Sequence, residues 1–411
     1  MKIRALVLAA AGKLSPALVV VSLGLVAPAL RAAETAPDYA QERISGGWSG
    51  ARSSLDAKGY TFEGVTKIDG WREPSGGTAG SWRGLGNLDL QLGIDAEKAF
   101  GWKDTTLFVY GLGDAGGRPN ELPGSLAGID NIEVGTPAFR LYEAWIERNF
   151  AAGRVSVLAG LHDLNSEFYV TDASGLFLGP TFGIGTEMSA TGQTGPSIFP
   201  STSLALRVRV EPWDGVFLQT AAYDGAPGDP NNPRGTHLTL GAGEGTLYVA
   251  EAGWQSEGTH LGVGGWRYSA KFPDVLTGAP ADSRGAYLLA EHKVGVGALG
   301  DIAFFGRYGW TAADAEDFRS SWSAGAVWSG LLHSHPESSL GLAVAQAELS
   351  NKFLAANGPL ARRETQVELT WEEPLGQGIT IQPDLQLIHS PGGAIGATDA
   401  WTGGIRLKLE F

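Results

Sequence analysis

The chain has 411 residues, among them 60 Gly, 13 Trp, 10 Tyr and 16 Phe, and it has no Cys. The lack of Cys excludes disulfides, and the net charge of -14 argues against a nucleic-acid partner, because contacts to phosphates need a basic surface. The length would permit two soluble domains, but the strand pattern described below continues without a linker.

An apolar run near the N-terminus predicts a secretory signal peptide. Lys2, Arg4 and Lys13 precede the run 17–27, which is too short to span a bilayer as a helix but suits a signal sequence. We expect residues 1–33 to be this signal peptide, with cleavage within 29–35. Residues 34–58 would then form a periplasmic segment, either a short helix or a strap, before the first strand. No later stretch is long and apolar enough to span the bilayer as a helix.

From residue 59 onward, segments of about ten residues with alternating or aromatic-rich character recur, which is the period of a strand with one apolar and one polar face. Very short breaks rich in turn-forming residues, such as 151–153 and 376–378, alternate with longer polar breaks such as 116–137. The sixteen segments begin near Tyr60, Leu85, Thr105, Phe139, Val155, Leu204, Val216, Thr246, His260, Ala286, Asp301, Ser321, Leu340, Thr365, Ile379 and Trp401.

Short turns at one end of each hairpin and long loops at the other are typical of a barrel in the bacterial outer membrane, with the turns in the periplasm. A closed barrel also satisfies every backbone donor and acceptor in lipid. We therefore predict an all-β, transmembrane antiparallel β-barrel of about 16 strands over residues 59–411. A barrel of this size encloses an aqueous channel.

Alternation also assigns the two faces of each strand. In the sixth strand, Leu206 and Val208 would face lipid, which places Arg207 and Arg209 in the lumen. The same rule turns Arg83 of the second strand inward. In the fourth strand, Arg140 and Glu143 have opposite parity, so simple alternation directs only one of them inward.

The long break from Asp163 to Ser203 exceeds what a hairpin needs, and we expect it to fold inward as a constriction loop. A polar solute passing it needs donors, acceptors and aromatic faces that replace its water without holding it tightly. Alternatively, the charges here only solvate the lumen and fix the loop through salt bridges, and Phe168 packs rather than stacks on a solute. The predicted substrate-binding residues are Arg83, Arg207 and Arg209 as donors, Asp163, Asn165 and Glu167 as acceptors, and Phe168.

Four sequence blocks, in the same order, resemble the OprB family of carbohydrate-selective porins. The first is a Gly-x-Trp-x-Gly-x-Arg-x-x-Leu pattern that starts at Gly46, and the others are residues 99–103, 139–147 and 158–168. The chain departs from the family at Leu161-His162-Asp163. Family members commonly have a Lys after the preceding Gly, so the local charge at this point differs in this chain. The resemblance is dense over 44–225 and thinner beyond. It implies a sixteen-stranded outer-membrane barrel that passes mono- and disaccharides such as glucose by diffusion.

Other functions compete with this interpretation. A general or anion-favouring diffusion porin would use the same lumenal Arg side chains. A secreted glycosidase or a sugar-binding lectin would be soluble, and Glu372 and Glu373 point to opposite faces of a strand, so they do not converge on one bond. We expect no catalytic residue, no metal and no cofactor. The expected partners are small neutral sugars and outer-membrane lipid, and a homotrimer, common among porins, is a further expectation.

Overall fold

The computed structural model describes residues 39–411, apart from residues 78–79, 239, 241–244, 298–299, 313 and 333. The expected signal peptide, residues 1–33, lies outside the described residues. Sixteen antiparallel strands close into one barrel, in which each strand pairs with its neighbours along the chain and the first pairs with the last. The predicted sixteen-stranded barrel is therefore confirmed.

The predicted starts of the strands lie close to the observed ones, and the largest differences, Leu85 against Trp82 and Ser321 against Phe318, are three residues. Two short strands, β10 and β11, form a separate hairpin in a loop. The strands are β1 Tyr60–Ser75, β2 Trp82–Asp95, β3 Thr105–Gly116, β4 Phe139–Phe150, β5 Val155–His162, β6 Ser203–Trp213, β7 Val216–Asp224, β8 Thr246–Ser256, β9 Thr259–Tyr268, β10 Phe272–Pro273, β11 Pro280–Ala281, β12 Arg284–Gly295, β13 Asp301–Thr311, β14 Phe318–Ser329, β15 Ser339–Leu349, β16 Arg363–Gly376, β17 Ile379–His389 and β18 Ala400–Glu410.

The helices are short and lie in turns, loops and the segment before β1. In the part of the chain that the structure describes, no helix is long and apolar enough to cross a membrane. The α-helices are Tyr39–Glu42, Ala51–Asp56, Ala96–Phe100, Thr186–Ser189 and Asn351–Asn357, and the 3-10 helices are Trp48–Gly50, Pro119–Glu121, Ala151–Gly153, Leu164–Ser166, Ala173–Leu176, Pro180–Phe182 and Pro391–Gly393.

The two faces of the wall follow from alternation, as β6 illustrates. Leu206 is 53% exposed on the outer face, whereas its neighbour Arg207 is 2% exposed and points into the barrel. Because successive side chains in a strand point to opposite faces, the apolar set meets lipid and the polar set lines the lumen.

A β-bulge in β4 changes the faces that simple alternation assigned. Tyr110 of β3 pairs with Glu143, and the next residue, Gly111, pairs with Leu141, so Tyr142 is an extra residue in the strand. A bulge of this kind shifts the parity of the residues on either side of it. Arg140 and Glu143 are consequently both buried on the inner side, which corrects the expectation that only one of them faces inward.

Two loops fold into the barrel. The loop after β5, residues 163–202, was expected there, and it contributes Leu164 and Phe168 to the main apolar core. The loop after β3, residues 117–138, was not expected inside, and it adds further apolar residues to the same core. The two loops touch where the Asn131 amide Nδ2 donates to the Phe177 carbonyl at 3.1 Å. The core of this protein therefore lies between the loops and the wall.

The segment before β1 closes the periplasmic end of the seam between β1 and β18. The Arg52 guanidinium carbon lies 4.6 Å from the ring centres of both Tyr39 and Trp48. Its Nη2 donates to the carbonyls of Phe62, at 2.9 Å, and Phe411, at 2.5 Å. Arg52 belongs to the Gly-x-Trp-x-Gly-x-Arg pattern. In this chain the pattern attaches the segment before β1 to both strands of the seam, and we call the contacts of Arg52 with Tyr39, Trp48, Phe62 and Phe411 the clasp.

Candidate functional site

The junction of β4, β6 and the loop 163–202 is centred on the Arg207 guanidinium. Its Nη2 lies 2.7 Å from Glu147 Oε1 on β4 and 2.6 Å from Glu167 Oε1 in the loop. Nη1 donates to the Ser156 hydroxyl on β5. One buried cation thus joins three barrel strands to the loop, and the two carboxylates supply the negative charge that a buried guanidinium requires.

Asp163, Asn165 and Phe168 form the start of the loop. The Asp163 carboxylate accepts the Asn165 backbone N–H at 2.7 Å and the Tyr142 hydroxyl at 2.5 Å. The Asn165 amide Nδ2 donates to the Phe168 carbonyl at 3.2 Å, and the Phe168 ring is fully buried. These three residues shape the turn into the lumen, and Phe168 packs rather than presenting its ring to a solute.

Arg209 is the next inward-facing residue of β6 after Arg207. Its Nη1 donates to Gln219 Oε1 at 3.1 Å and its Nη2 to Glu211 Oε1 at 3.1 Å. The guanidinium lies 4.3 Å from the centre of the Phe217 ring. Gln219 in turn donates to the Glu167 carbonyl at 2.9 Å. Arg209 is therefore linked to the same loop through one intermediate side chain.

Arg83 lies apart from the other predicted site residues. It is the second residue of β2, at the extracellular end, and its Nη1 donates to the carbonyl of its neighbour Trp82 at 3.0 Å. Its side chain packs beside Gly117, at the start of the other inward loop. Arg83 therefore faces inward at the mouth of the barrel and not at the junction around Arg207.

Two carboxylates of β16 hold the loops by their main chain, a role that the sequence analysis missed. Glu368 accepts the backbone N–H groups of Leu178, at 2.5 Å, and Gly179, at 2.8 Å. Glu364 accepts those of Leu126, at 2.9 Å, and Ala127, at 3.1 Å. Each carboxylate satisfies donors that a loop inside the barrel would otherwise bury without a partner.

Arg307 of β13 also holds the loop after β5, but it donates to backbone carbonyls, whereas Glu364 and Glu368 accept from backbone N–H groups. Its Nη1 donates to the carbonyls of Tyr169, at 3.2 Å, and Gly183, at 2.7 Å, and its Nη2 donates to that of Thr181 at 3.1 Å. An inward charged residue in the middle of a strand, opposite a long loop, is the sequence signal for such an anchor. The inward parity of Glu368 was visible in the sequence, but its partner was not.

The loop carboxylates titrate differently according to their neighbours. Burial alone would raise the pKa of Glu167, but the Arg207 guanidinium outweighs that effect and lowers it. Burial raises the pKa of Asp163 to about 6. Burial also raises the pKa of Glu187 to about 7, because the hydrogen bonds from Ser321 and Tyr169 and the charge of Arg307 compensate only in part. Of these three carboxylates, only Glu167 has a pKa below its usual value.

A second polar row crosses β1, β2 and β3 on the inner face. Lys67 Nζ lies 2.8 Å from Asp89 Oδ2, and the Tyr110 hydroxyl donates to the other oxygen of Asp89 at 2.6 Å. Asn87 donates to Asp114 at 3.2 Å. Each of these polar side chains has a hydrogen-bonding partner, and Lys67 and Asp89 form an ion pair within the row.

Comparison with known proteins agrees with this architecture. The profile of the family "Carbohydrate-selective porin, OprB family" matches residues 80–411. Porin B of Pseudomonas aeruginosa is 24% identical over 95% of both chains, and the putative porin QuiX of Acinetobacter baylyi is 24% identical over 95% of this chain and 99% of its own. The high-pH structure of Pseudomonas putida OprB superposes with a TM-score of 0.82 at 20% identity, covering 91% of this chain and 100% of that one.

Proposed function

Because the chain belongs to the OprB family of carbohydrate-selective porins, it is a sugar-selective porin of the bacterial outer membrane, and we propose that sugars are selected where the loop 163–202 meets β4 and β6. The protein is a channel rather than an enzyme. The proposed solutes are neutral mono- and disaccharides such as glucose, which move down their gradient through the water-filled lumen.

The ion-paired state of the junction is the observation that carries the proposal. Arg207 contacts two carboxylates and Arg209 a third, so neither cation lacks a counter-charge and the carboxylates outnumber the cations by one. A passing anion would meet these carboxylates as well as the guanidiniums, which disfavours the anion-selective alternative. A neutral sugar meets donors and acceptors without an adverse net field.

The roles of the junction residues follow from their exposure. Glu167, Arg209 and Glu211 keep part of their side chains accessible, so we assign them to contact with sugar hydroxyls. The buried residues Glu147, Arg207, Asp163, Asn165 and Phe168 are assigned to holding the loop. Arg83 would contact solutes at the extracellular mouth, before they reach the junction.

The expected strength of these contacts suits a channel. A hydrogen bond contributes about 0.5–1.5 kcal/mol net, so two or three of them give a sugar only weak, short-lived residence. Conduction needs binding that is favourable enough for entry and weak enough for exit. The junction therefore selects solutes during passage rather than storing them.

Liposome swelling tests the proposal with solutes of similar size. Glucose should enter faster than gluconate, which carries one negative charge. Equal entry of both would support an unselective pore, and faster entry of gluconate would support the anion-favouring alternative. A Lys103→Gln variant in a periplasmic turn serves as the matched control, because that side chain is exposed and remote from the lumen.

A further inference from the structure

The outer face of the barrel carries a cluster of guanidinium groups at its extracellular end. We call this cluster the basic arc. Four of its members lie on β9, β12, β14 and β16 and the fifth lies in the loop just before β16, and all of them are exposed. A concentration of cations is notable in a chain whose net charge is -14. The basic arc consists of Arg267, Arg284, Arg319, Arg362 and Arg363.

Two members of the basic arc oppose each other directly. Arg267 on β9 is the cross-strand partner of Arg284 on β12. Like charges placed directly opposite each other in a sheet are destabilising. Asp282 lies close enough to interact with both, but its Oδ1 is already 2.6 Å from Lys271 Nζ. The described side chains around this pair therefore leave an excess of positive charge.

The other three members share one carboxylate. Glu348 on β15 lies 3.5 Å from Arg319, 3.8 Å from Arg362 and 3.4 Å from Arg363. Each of the three guanidinium side chains remains about half exposed, whereas Glu348 is mostly covered. Among the ion pairs of the described residues, Glu348 supplies one negative charge to these three cations, so this end of the arc also has more guanidinium groups than paired carboxylates.

The basic arc lies where the lipid-facing belt of the barrel ends. Trp310 and Trp322 are exposed on the outer face just below it, and the exposed Tyr308 is the cross-strand partner of Trp322. Tryptophan at this level marks the boundary between hydrocarbon and headgroups. On the opposite side of the barrel, Trp82 and Phe139 are exposed at the same height, and the guanidinium of Arg72 on β1 lies 5.9 Å from the centre of the Trp82 ring. The guanidinium groups are therefore clustered on the β9 to β16 side, at headgroup level.

We propose that the basic arc binds a phosphate-bearing lipid of the outer leaflet, with its phosphates on the guanidiniums and its acyl chains along the outer face of β12–β15. Arginine presents a planar fork of donors that matches phosphate geometry, and weak hydration lets it form such contacts at an interface. Clustered basic residues at the end of a membrane-spanning element recognise anionic lipid headgroups. The site is outside the lumen and does not depend on sugar passage.

Native mass spectrometry of the detergent-extracted full chain tests this site. The probes are lipid A with two phosphates, the same lipid after enzymatic dephosphorylation, and inorganic phosphate as a competitor. The barrel should retain the phosphorylated lipid at least about ten-fold better than the dephosphorylated one, since charged hydrogen bonds are the stronger ones. The triple variant Arg284→Gln, Arg319→Gln, Arg363→Gln should lose most of that preference.

The matched control is the double variant Arg148→Gln, Arg154→Gln, which removes two exposed cations at the periplasmic end of the barrel and should retain the lipid like the parent chain. Equal retention by the triple variant and this control would overturn the proposal. So would equal retention of the two lipids, which would indicate the apolar belt alone. Complete displacement by millimolar inorganic phosphate would also overturn it, because it would indicate a site for small anions.

The single variant Arg284→Gln keeps the test decisive if the triple variant fails to fold. Removing Arg284 relieves its repulsion of Arg267, so the lipid-free barrel should be at least as stable to heating as the parent chain. Its retention of the phosphorylated lipid should nevertheless fall. Unchanged retention would contradict the proposal, whatever the triple variant does.

Discussion

Arg207 and Glu167 form a 2.6 Å ion pair that ties the wall of the barrel to the loop inside it. The same guanidinium nitrogen contacts Glu147 at 2.7 Å, so one side chain controls both the position of the loop and the charge balance of the junction. Selectivity and loop attachment should therefore change together when this cation is removed.

Replacement of Arg207 by Ala should make the channel more cation-preferring and alter glucose flux. The change leaves Glu147 and Glu167 without their shared partner, and breaking a buried pair in this way costs about 3–5 kcal/mol of local stability. Reversal potentials in a salt gradient and liposome swelling measure the two effects. Heat-modifiable migration should persist, because the strand ladder remains intact. If neither flux nor selectivity changes, Arg207 has no role at the constriction.

Replacement of Gly309 by Ala should displace the loop without adding or removing charge. A Cβ at this position would lie 1.8 Å from Glu187 Oε1 and 2.6 Å from the Tyr169 hydroxyl. Such overpacking typically costs about 1–3 kcal/mol, and we expect an altered single-channel conductance. Gly306→Ala on the same strand is the matched control, since a Cβ there meets nothing within 4 Å. Identical conductance of the two variants would refute this account of the loop.

The attachment of the loop should weaken as pH rises. Burial raises the pKa of Glu187 from 4.5 to about 7 in the folded protein, so the folded state holds a proton that the released loop gives up. The stabilising contribution is complete below about pH 4.5 and is lost as pH rises through about 7. Current noise of single channels should increase between pH 5 and pH 8, and Glu187→Gln should remove that dependence. A variant with the parent's pH profile would exclude Glu187 as its origin.

Replacement of Glu368 by Ala should loosen the middle of the loop. The change removes the acceptor of the Leu178 and Gly179 backbone N–H groups, and each buried donor left without a partner costs about 1–3 kcal/mol. We expect faster proteolysis within the loop and a lower midpoint of heat-induced migration change. Glu257→Ala in an exposed periplasmic turn should leave both measurements as in the parent chain.

Replacement of Arg52 by Ala should lower the thermal stability of the barrel while leaving its conductance unchanged. Arg52 lies between two aromatic rings and donates to main-chain oxygens of Phe62 and Phe411, so its loss removes a donor from both half-buried residues. The midpoint of heat-induced unfolding on unboiled gels measures the effect. The exposed Lys58, replaced by Ala, provides the comparison. An unchanged midpoint for the Arg52 variant would show that the clasp adds no stability.

The barrel could be predicted from the sequence because its determinants are local. A strand that meets lipid on one face and water on the other must alternate, and each hairpin needs turn residues at its short end. These signals lie within about ten residues of each other, so they can be recognised in the sequence without knowledge of the fold. The bulge at Tyr142 broke the pattern because one extra residue reverses the parity of everything beyond it.

The arrangement of the lumen could not be predicted in the same way. Alternation gives the face on which Arg83 and Arg207 lie but not their height along the barrel, which depends on the register of every strand between them. The hydrogen bond from the Leu178 N–H to Glu368 joins residues 190 positions apart, so no local sequence pattern predicts it. The inward course of 117–138 was missed as well, although its apolar Leu122 and Ile129 are unusual for a loop in water.

The clasp around Arg52 also constrains the order in which the molecule is assembled. Ile44 donates its N–H to the Glu410 carbonyl at 2.9 Å, and Arg52 reaches Phe411, so a segment made before β1 rests on residues made after every other strand. Before β18 joins the sheet, that segment can contact β1 through Phe62 but lacks its partners at residues 410 and 411. Closure of the barrel therefore completes the docking of the leading segment.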